Sequence, residues 1–312
     1  MWLRKLLAFD VLSKSLVIFC LLLSSVHLKG YAEEIASSPE IRMGFYYPAV
    51  YQIASRTEII LSLNIWAKEI SNGIGARVAD VQLFDDVNVM AKAFAKQEIN
   101  FAVASPLTFA LHFDRNSLAE CFYGSRADNE QDAVLLIAQV KDNVNSIMDL
   151  QHKRLIMPEN DELASVFLNT LTLQASGKKA PQFFSEILLS VKTNRAVLDV
   201  FFNKADAAIV QQASYEVMIA LNPQLKEQLK IIDSYPIKSK AYSFVHKDFE
   251  GRKLIADSYL GLVKTARGRQ LLEVYQQQGV EECSTQDLVA FDQLYAKFLA
   301  LSQHKSVLRA KH

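Results

Sequence analysis

Ile41-Arg42-Met43-Gly44-Phe45-Tyr46-Tyr47-Pro48 opens a unit that decides the fold. Ala79-Asp80-Val81-Gln82-Leu83-Phe84 and Ile99-Asn100-Phe101-Ala102-Val103-Ala104-Ser105-Pro106 continue it. Each run is short, apolar and rich in strand-forming residues, and helical patterns separate them. Between the first two, Ile59, Ile60, Leu63, Trp66, Ala67 and Ile70 recur at helical spacing, and Gly73 and Gly75 end the pattern. Val87 to Lys96 repeats it more briefly, and a third helix is expected from Leu107 to Phe113. Strands that alternate with helices imply parallel pairing, because parallel neighbours need crossover connections. Ligands in such sheets sit outside the carboxyl ends of the strands, which directs attention to Tyr46 and Tyr47 and to Ser105 through Thr108.

Further along, Ala133 to Val140 is a continuous apolar run, as in a strand buried on both faces, and reads as a crossover into a second lobe. Alternation then resumes. Strands are expected at Arg154–Met157, Glu186–Val191, Ala205–Val210 and Leu229–Ile232, and helices at Glu162–Ala175, Ala196–Asn203 and Ser214–Leu221. Ala241 to His246 reads as a second crossing. Helices follow at Leu254–Leu262, Gly268–Gln278 and Thr285–Leu301. Two crossings divide the chain into a discontinuous first lobe, 33–138 with 241–312, and a second lobe, 139–240. Each lobe is expected to hold a mixed, mostly parallel sheet flanked by helices, with a two-strand hinge. Clefts of this kind close around small ligands.

The first 32 residues read as an export signal. Arg4, Lys5 and Lys14 precede an apolar run from Leu16 to Val26, and Gly30-Tyr31-Ala32 offers small residues for cleavage near Ala32. The run is roughly half to two-thirds of the ~20 residues a membrane span needs, which weighs against an anchor. The residues before Cys20 lack the small side chain expected of a lipoprotein. Cleavage moves the balance from 34 basic and 34 acidic residues to a formal −3, because four basic residues and one acid are lost. A mildly acidic chain without a basic block has no electrostatic footprint for nucleic acid. Cys121 and Cys283 then remain, an even pair suited to an oxidising compartment; a disulfide and two buried free thiols are both open. The histidines have no metal-ligand spacing, and no nucleophile elbow, phosphate-cradling loop or paired-cysteine motif occurs. An enzyme is therefore not expected, and neither is a cofactor or metal.

Arg42-Met43-Gly44-Phe45, Asn100-Phe101-Ala102, Ser146-Ile147-Met148-Asp149-Leu150, Lys153-Arg154-Leu155-Ile156 and Asn203 through Val210 occur in this order. They resemble the substrate-binding proteins of phosphate, phosphite and phosphonate ABC transporters, of the type 2 periplasmic binding fold. The resemblance spans about Ile41 to Phe298. It implies a periplasmic, monomeric protein that captures a small polar solute for an ABC permease. A ligand-sensing partner of a membrane kinase or cyclase is the alternative. Phosphonate binders of this family hold the anion with hydroxyls at a helix N-terminus, a suitable place for a phosphate. The matching segment here is Pro158-Glu159-Asn160-Asp161-Glu162, so carboxylates stand where hydroxyls are expected. A family His corresponds to Thr193, and a Tyr to Ala104. Only Asp206 matches. The resemblance thus implies the fold, while the loops depart from phosphonate specificity.

The candidate ligand residues each carry a structural reading beside the functional one. Tyr46 and Tyr47 either wall a pocket or divide between core and surface. Ser105, with Thr108 beside it, either meets ligand or caps a helix. Asn160 and Asp161 face the same choice at the Glu162 helix, as do Thr193 and Asn194 at the next. Asp206 either binds a ligand amine or accepts backbone N–H groups.

Overall fold

The computed structural model describes residues 39–309, apart from 52–53, 73–74, 126–132, 238–239 and 276. The expected export signal lies outside the described residues. The chain begins β1 (Glu40–Phe45), α1 (Arg56–Asn72), β2 (Arg77–Leu83), α2 (Val87–Ala95), β3 (Phe101–Ala104) and α3 (Pro106–His112). β1 pairs in parallel with β2 on one side and β3 on the other. The helices form where the apolar stripe predicts them. α1 buries Ile59, Trp66, Ala67 and Ile70, and Trp66 meets Tyr259 and Tyr275 edge-on. α2 is capped by Asp86, whose carboxylate accepts the Asn88 N–H, and it buries Met90 and Phe94 completely.

β4 (Leu118–Ser125) follows, then β5 (Ala133–Gln139), β6 (Arg154–Pro158), α4 (Glu162–Ser176), β7 (Glu186–Ser190), α5 (Thr193–Phe201), β8 (Ala207–Gln211), α6 (Gln212–Leu221) and β9 (Leu229–Pro236). The chain closes with β10 (Tyr242–His246), α7 (Arg252–Gly261), α8 (Ala266–Val274), β11 (Gly279–Cys283) and α9 (Val289–Arg309). Two sheets result, ordered β11-β4-β10-β3-β1-β2 and β7-β6-β8-β5-β9. In the first, β1 to β4 run one way and β10 and β11 the other; in the second, β5 alone opposes its neighbours. Each sheet is mixed, with most strands running one way, and is flanked by helices, the two-sheet α/β arrangement that the resemblance implies.

The continuous apolar run becomes β5, an interior strand between β8 and β9, and every one of its residues is buried. Alternate side chains enter different cores: Val134, Leu136 and Ala138 pack with α4, and Leu135 and Ile137 pack with α5. Burial of each such aliphatic side chain is worth roughly 1.5–3 kcal/mol. Because β5 hydrogen-bonds to β8 and β9, it belongs to the second sheet. The expected lobe boundary at 138/139 falls within this strand. The tail does not return wholly to the first lobe either. On α9, Phe291 and Leu294 pack into the second lobe's core with Leu163, Val166 and Phe167 of α4, and Leu107 of α3 joins the same cluster.

Two strands escape the sequence pattern. β4 carries Glu120 and Gly124, and β11 is an edge strand with Glu281 and Glu282, so neither shows an apolar run. β11 occupies chain beyond α8, which stops at Val274, short of the expected Gln278. Cys121 of β4 and Cys283 of β11 are direct cross-strand partners joined by a disulfide over a sequence separation of 162.

Candidate ligand-binding cleft

The first lobe's wall is built at the carboxyl ends of β1 and β3. Tyr46 prolongs β1 by donating its N–H to the Val103 carbonyl at 3.0 Å. The chain then turns through a one-turn helix, Pro48–Tyr51. Tyr51 Oη lies 3.0 Å from the Phe45 carbonyl and 2.9 Å from that of Phe84, and accepts the Tyr47 N–H at 3.4 Å. One phenol thereby ties together the ends of β1 and β2. Burial pushes its pKa up to about 12, so it stays a neutral donor. Ser105 caps α3: its Oγ accepts the Thr108 N–H at 3.1 Å and sits 2.8 Å from Thr108 Oγ1. Both hydroxyls are thus engaged with each other, although both residues line the cleft.

The second lobe's wall begins where β6 ends. The Glu159 N–H donates to the Ser190 carbonyl at 3.0 Å, and Asn160 adopts a left-handed backbone with φ of 55°. Asn tolerates that conformation better than most residues. The turn delivers Asp161 as the cap of α4, where its carboxylate accepts the Ala164 N–H at 3.0 Å. Burial raises the Asp161 pKa, while hydrogen bonds from Ala164, the Gln211 side chain and Leu163 pull it partly back. Desolvation also raises Glu162; His112 opposes this and Asp161 reinforces it. Tyr46 is raised by burial and then by the charges of Glu162 and Asp86. Glu162 lines the cleft from α4, and Tyr46 and His112 line it from the first lobe.

Between these walls lies a cleft of about 910 Å³, within the range of small-molecule sites. Six of the sequence-predicted residues line it: Tyr46, Tyr47, Ser105, Thr108, Asn160 and Asp161. Asp206 does not. Its carboxylate accepts the Arg154 N–H at 2.7 Å and pairs with the Arg154 guanidinium at 3.4 Å, which is the structural alternative. Asn194 is exposed on α5 outside the lining, and Thr193 opens that helix with its side chain outside the described residues. Glu162, placed by the resemblance at a position where the family has a hydroxyl, lines it too, whereas sequence reasoning missed Asp85, His112, Gln211 and Phe291. Gln211 ends β8, so the carboxyl-end rule alone pointed to it. Phe291 comes from the last helix and left no local signal.

Comparison with known proteins supplies the family. Residues 50–288 match the family model described as ABC transporter, phosphonate, periplasmic substrate-binding protein. No curated protein sequence matches the chain. Among solved structures, XAC2383 from Xanthomonas citri bound to chloride ion superposes with a TM-score of 0.62 at 13% identity, covering 85% of this chain and 99% of that one. The binding protein component of an ABC phosphonate transporter from Pseudomonas aeruginosa, PA3383, gives 0.58 at 15% identity, covering 88% and 98%. PhnD1 from Prochlorococcus marinus in complex with methylphosphonate gives 0.59 at 15% identity, covering 83% and 98%. At such identities these structures attest the fold. With the family model spanning both lobes, the chain belongs to the periplasmic substrate-binding proteins of phosphonate ABC transporters.

Proposed function

We propose that this protein is exported, captures a small polar solute between its lobes and delivers it to the permease of an ABC importer. One observation carries the reading: the cleft takes its walls from both sheets, with Tyr46 and Ser105 on one side and Asp161 and Glu162 on the other. A solute that touches both walls favours the conformation in which they are close, and so biases the lobes toward closure. The chain passes from one sheet to the other after β4 and back after β9, so each sheet can move with its own wall of the cleft. In this reading the first lobe comprises β1–β4 with β10 and β11, the second comprises β5–β9, and α9 packs against both. No step in this role calls for catalysis.

Thermal melts and small-angle scattering on the mature protein, against a panel of small polar solutes, test the reading. A bound solute at 100 times its Kd adds about 2.7 kcal/mol of stability, and closure reduces the radius of gyration. A panel that produces neither change refutes solute capture. Stimulated ATP hydrolysis by a reconstituted permease separates delivery from a signalling role.

A further inference from the structure

We propose that the cleft selects a cationic, amine-bearing solute over an anion, with Glu162 as the carboxylate that receives the positive group. This rests on the cleft being the solute site, and three observations lead to it.

The place where a helix N-terminus would hold an anion is already taken. The Asp161 carboxylate accepts the Ala164 N–H at 3.0 Å, and the Ser165 N–H goes to the Asp161 carbonyl at 3.1 Å. A phosphonate oxygen would have to displace a built-in carboxylate from its own donor. It would also enter beside that negative charge.

The remaining charge is lopsided. The ionisable acids of the lining are Asp85, Glu159, Asp161 and Glu162, and the base is His112. Asp85 pairs with Arg56 at 2.6 Å, and Asp161 is held by the helix. Glu159 and Glu162 form no ion pair among the described residues, and no lysine or arginine is among the described residues of the wall. Glu162 opens α4 on the second lobe's wall of the cleft, and Tyr46, Tyr47 and His112 line the first lobe's wall.

The facing wall suits a cation. Tyr46 and Tyr47 line it, and aromatic faces attract ammonium groups within about 6 Å of the ring centre. A carboxylate on one lobe and tyrosine rings on the other would bracket a positive group. Such a group makes both contacts only when the lobes approach.

Calorimetry on the full mature chain at pH 7.5 tests this with two sets of probes: ethanolamine, putrescine and choline, and inorganic phosphate and methylphosphonate. The expected result is micromolar binding of at least one amine, weakened tenfold or more in Glu162→Gln, with no heat from either anion. Glu159→Gln, with its thermal melt, serves as a second variant should the first fail to fold; weakened amine binding there is again expected. Micromolar binding of phosphate or methylphosphonate overturns the inference and leaves the solute-binding role standing. Amine binding unchanged in both variants also overturns it. Silence from both sets overturns the inference, while the solute-binding role is decided separately by the thermal melts and scattering over the wider panel.

Discussion

Removing the Cys121–Cys283 bond tests how the first lobe is held together. The bond joins residues 162 apart, so it closes most of the chain between β4 and β11 into a loop. Loop-closure entropy grows only logarithmically: a 100-residue loop corresponds to about 4.7 kcal/mol, and one of this length to about 5. That is an upper figure, because native disulfides typically contribute about 2–5 kcal/mol. Cys121 is buried beside Leu118 and Tyr123, so Cys→Ala at that position adds a small packing loss. The double substitution Cys121→Ala with Cys283→Ala should therefore cost about 3–5 kcal/mol. For a protein of this size that is a fall in Tm of roughly 6–20 °C. Urea unfolding read by Trp66, which packs against Tyr259 and Tyr275 in the same lobe, is the assay. Oxidised wild type, reduced wild type and the double variant should fall in two groups, the oxidised protein alone in the upper one. A loss below about 0.5 kcal/mol would refute the reasoning, since the open chain would then gain no freedom from the missing cross-link.

Replacing Asp161 and Glu162 together by Ser should restore measurable phosphate affinity by calorimetry. A unit of like charge at 4 Å costs about 4 kcal/mol at an effective dielectric of 20, or about three decades of affinity; no recovery would move the obstacle to other parts of the wall. Asp161→Ala alone removes the cap of α4 and should lower urea stability by about 1 kcal/mol. At Asp206, burial raises the pKa, but the Arg154 N–H and guanidinium outweigh it and leave it lowered. Its stabilisation is thus complete above the unfolded value and is lost as pH falls through the lower folded one. Asp206→Asn should cost about 1 kcal/mol at pH 7 and progressively less as pH falls into the acid range, as urea midpoints along such a series will show. Intact mass of periplasmic material should correspond to a chain that begins near Glu33, and a mass that retains residues 1–32 would refute cleavage.

Elements whose periodicity is unambiguous were legible in the sequence: α1, with its buried stripe, and β5, whose unbroken apolar run is buried on both faces. β4 and β11 were not, because an edge strand and its neighbour keep acids and glycine on their open faces. The site follows the same logic. Tyr46, Ser105 and Asn160 stand just past strand carboxyl ends, where the topology places ligands. Asp206 precedes β8 while Gln211 ends it, so about 16 Å of strand separates the tempting acid from the cleft. The helix expected from Ala196 begins three residues earlier, at Thr193, so Asn194 lies inside α5 at an exposed position rather than ahead of it. Propensity could not have found Phe291, because its place depends on a tertiary return from the far end of the chain.

That return has a consequence for biogenesis. The cleft wall begins with Tyr46 and is completed by Phe291 on α9, which is packed beneath it against α4. A chain emerging from the ribosome or a translocation channel presents these two residues at opposite ends of its schedule. In the proposed role, solute therefore meets the complete wall only late in synthesis. Binding competence arrives only when nearly all of the polypeptide is out, and a truncation that spares every strand of both sheets but removes α9 would still leave the wall unfinished.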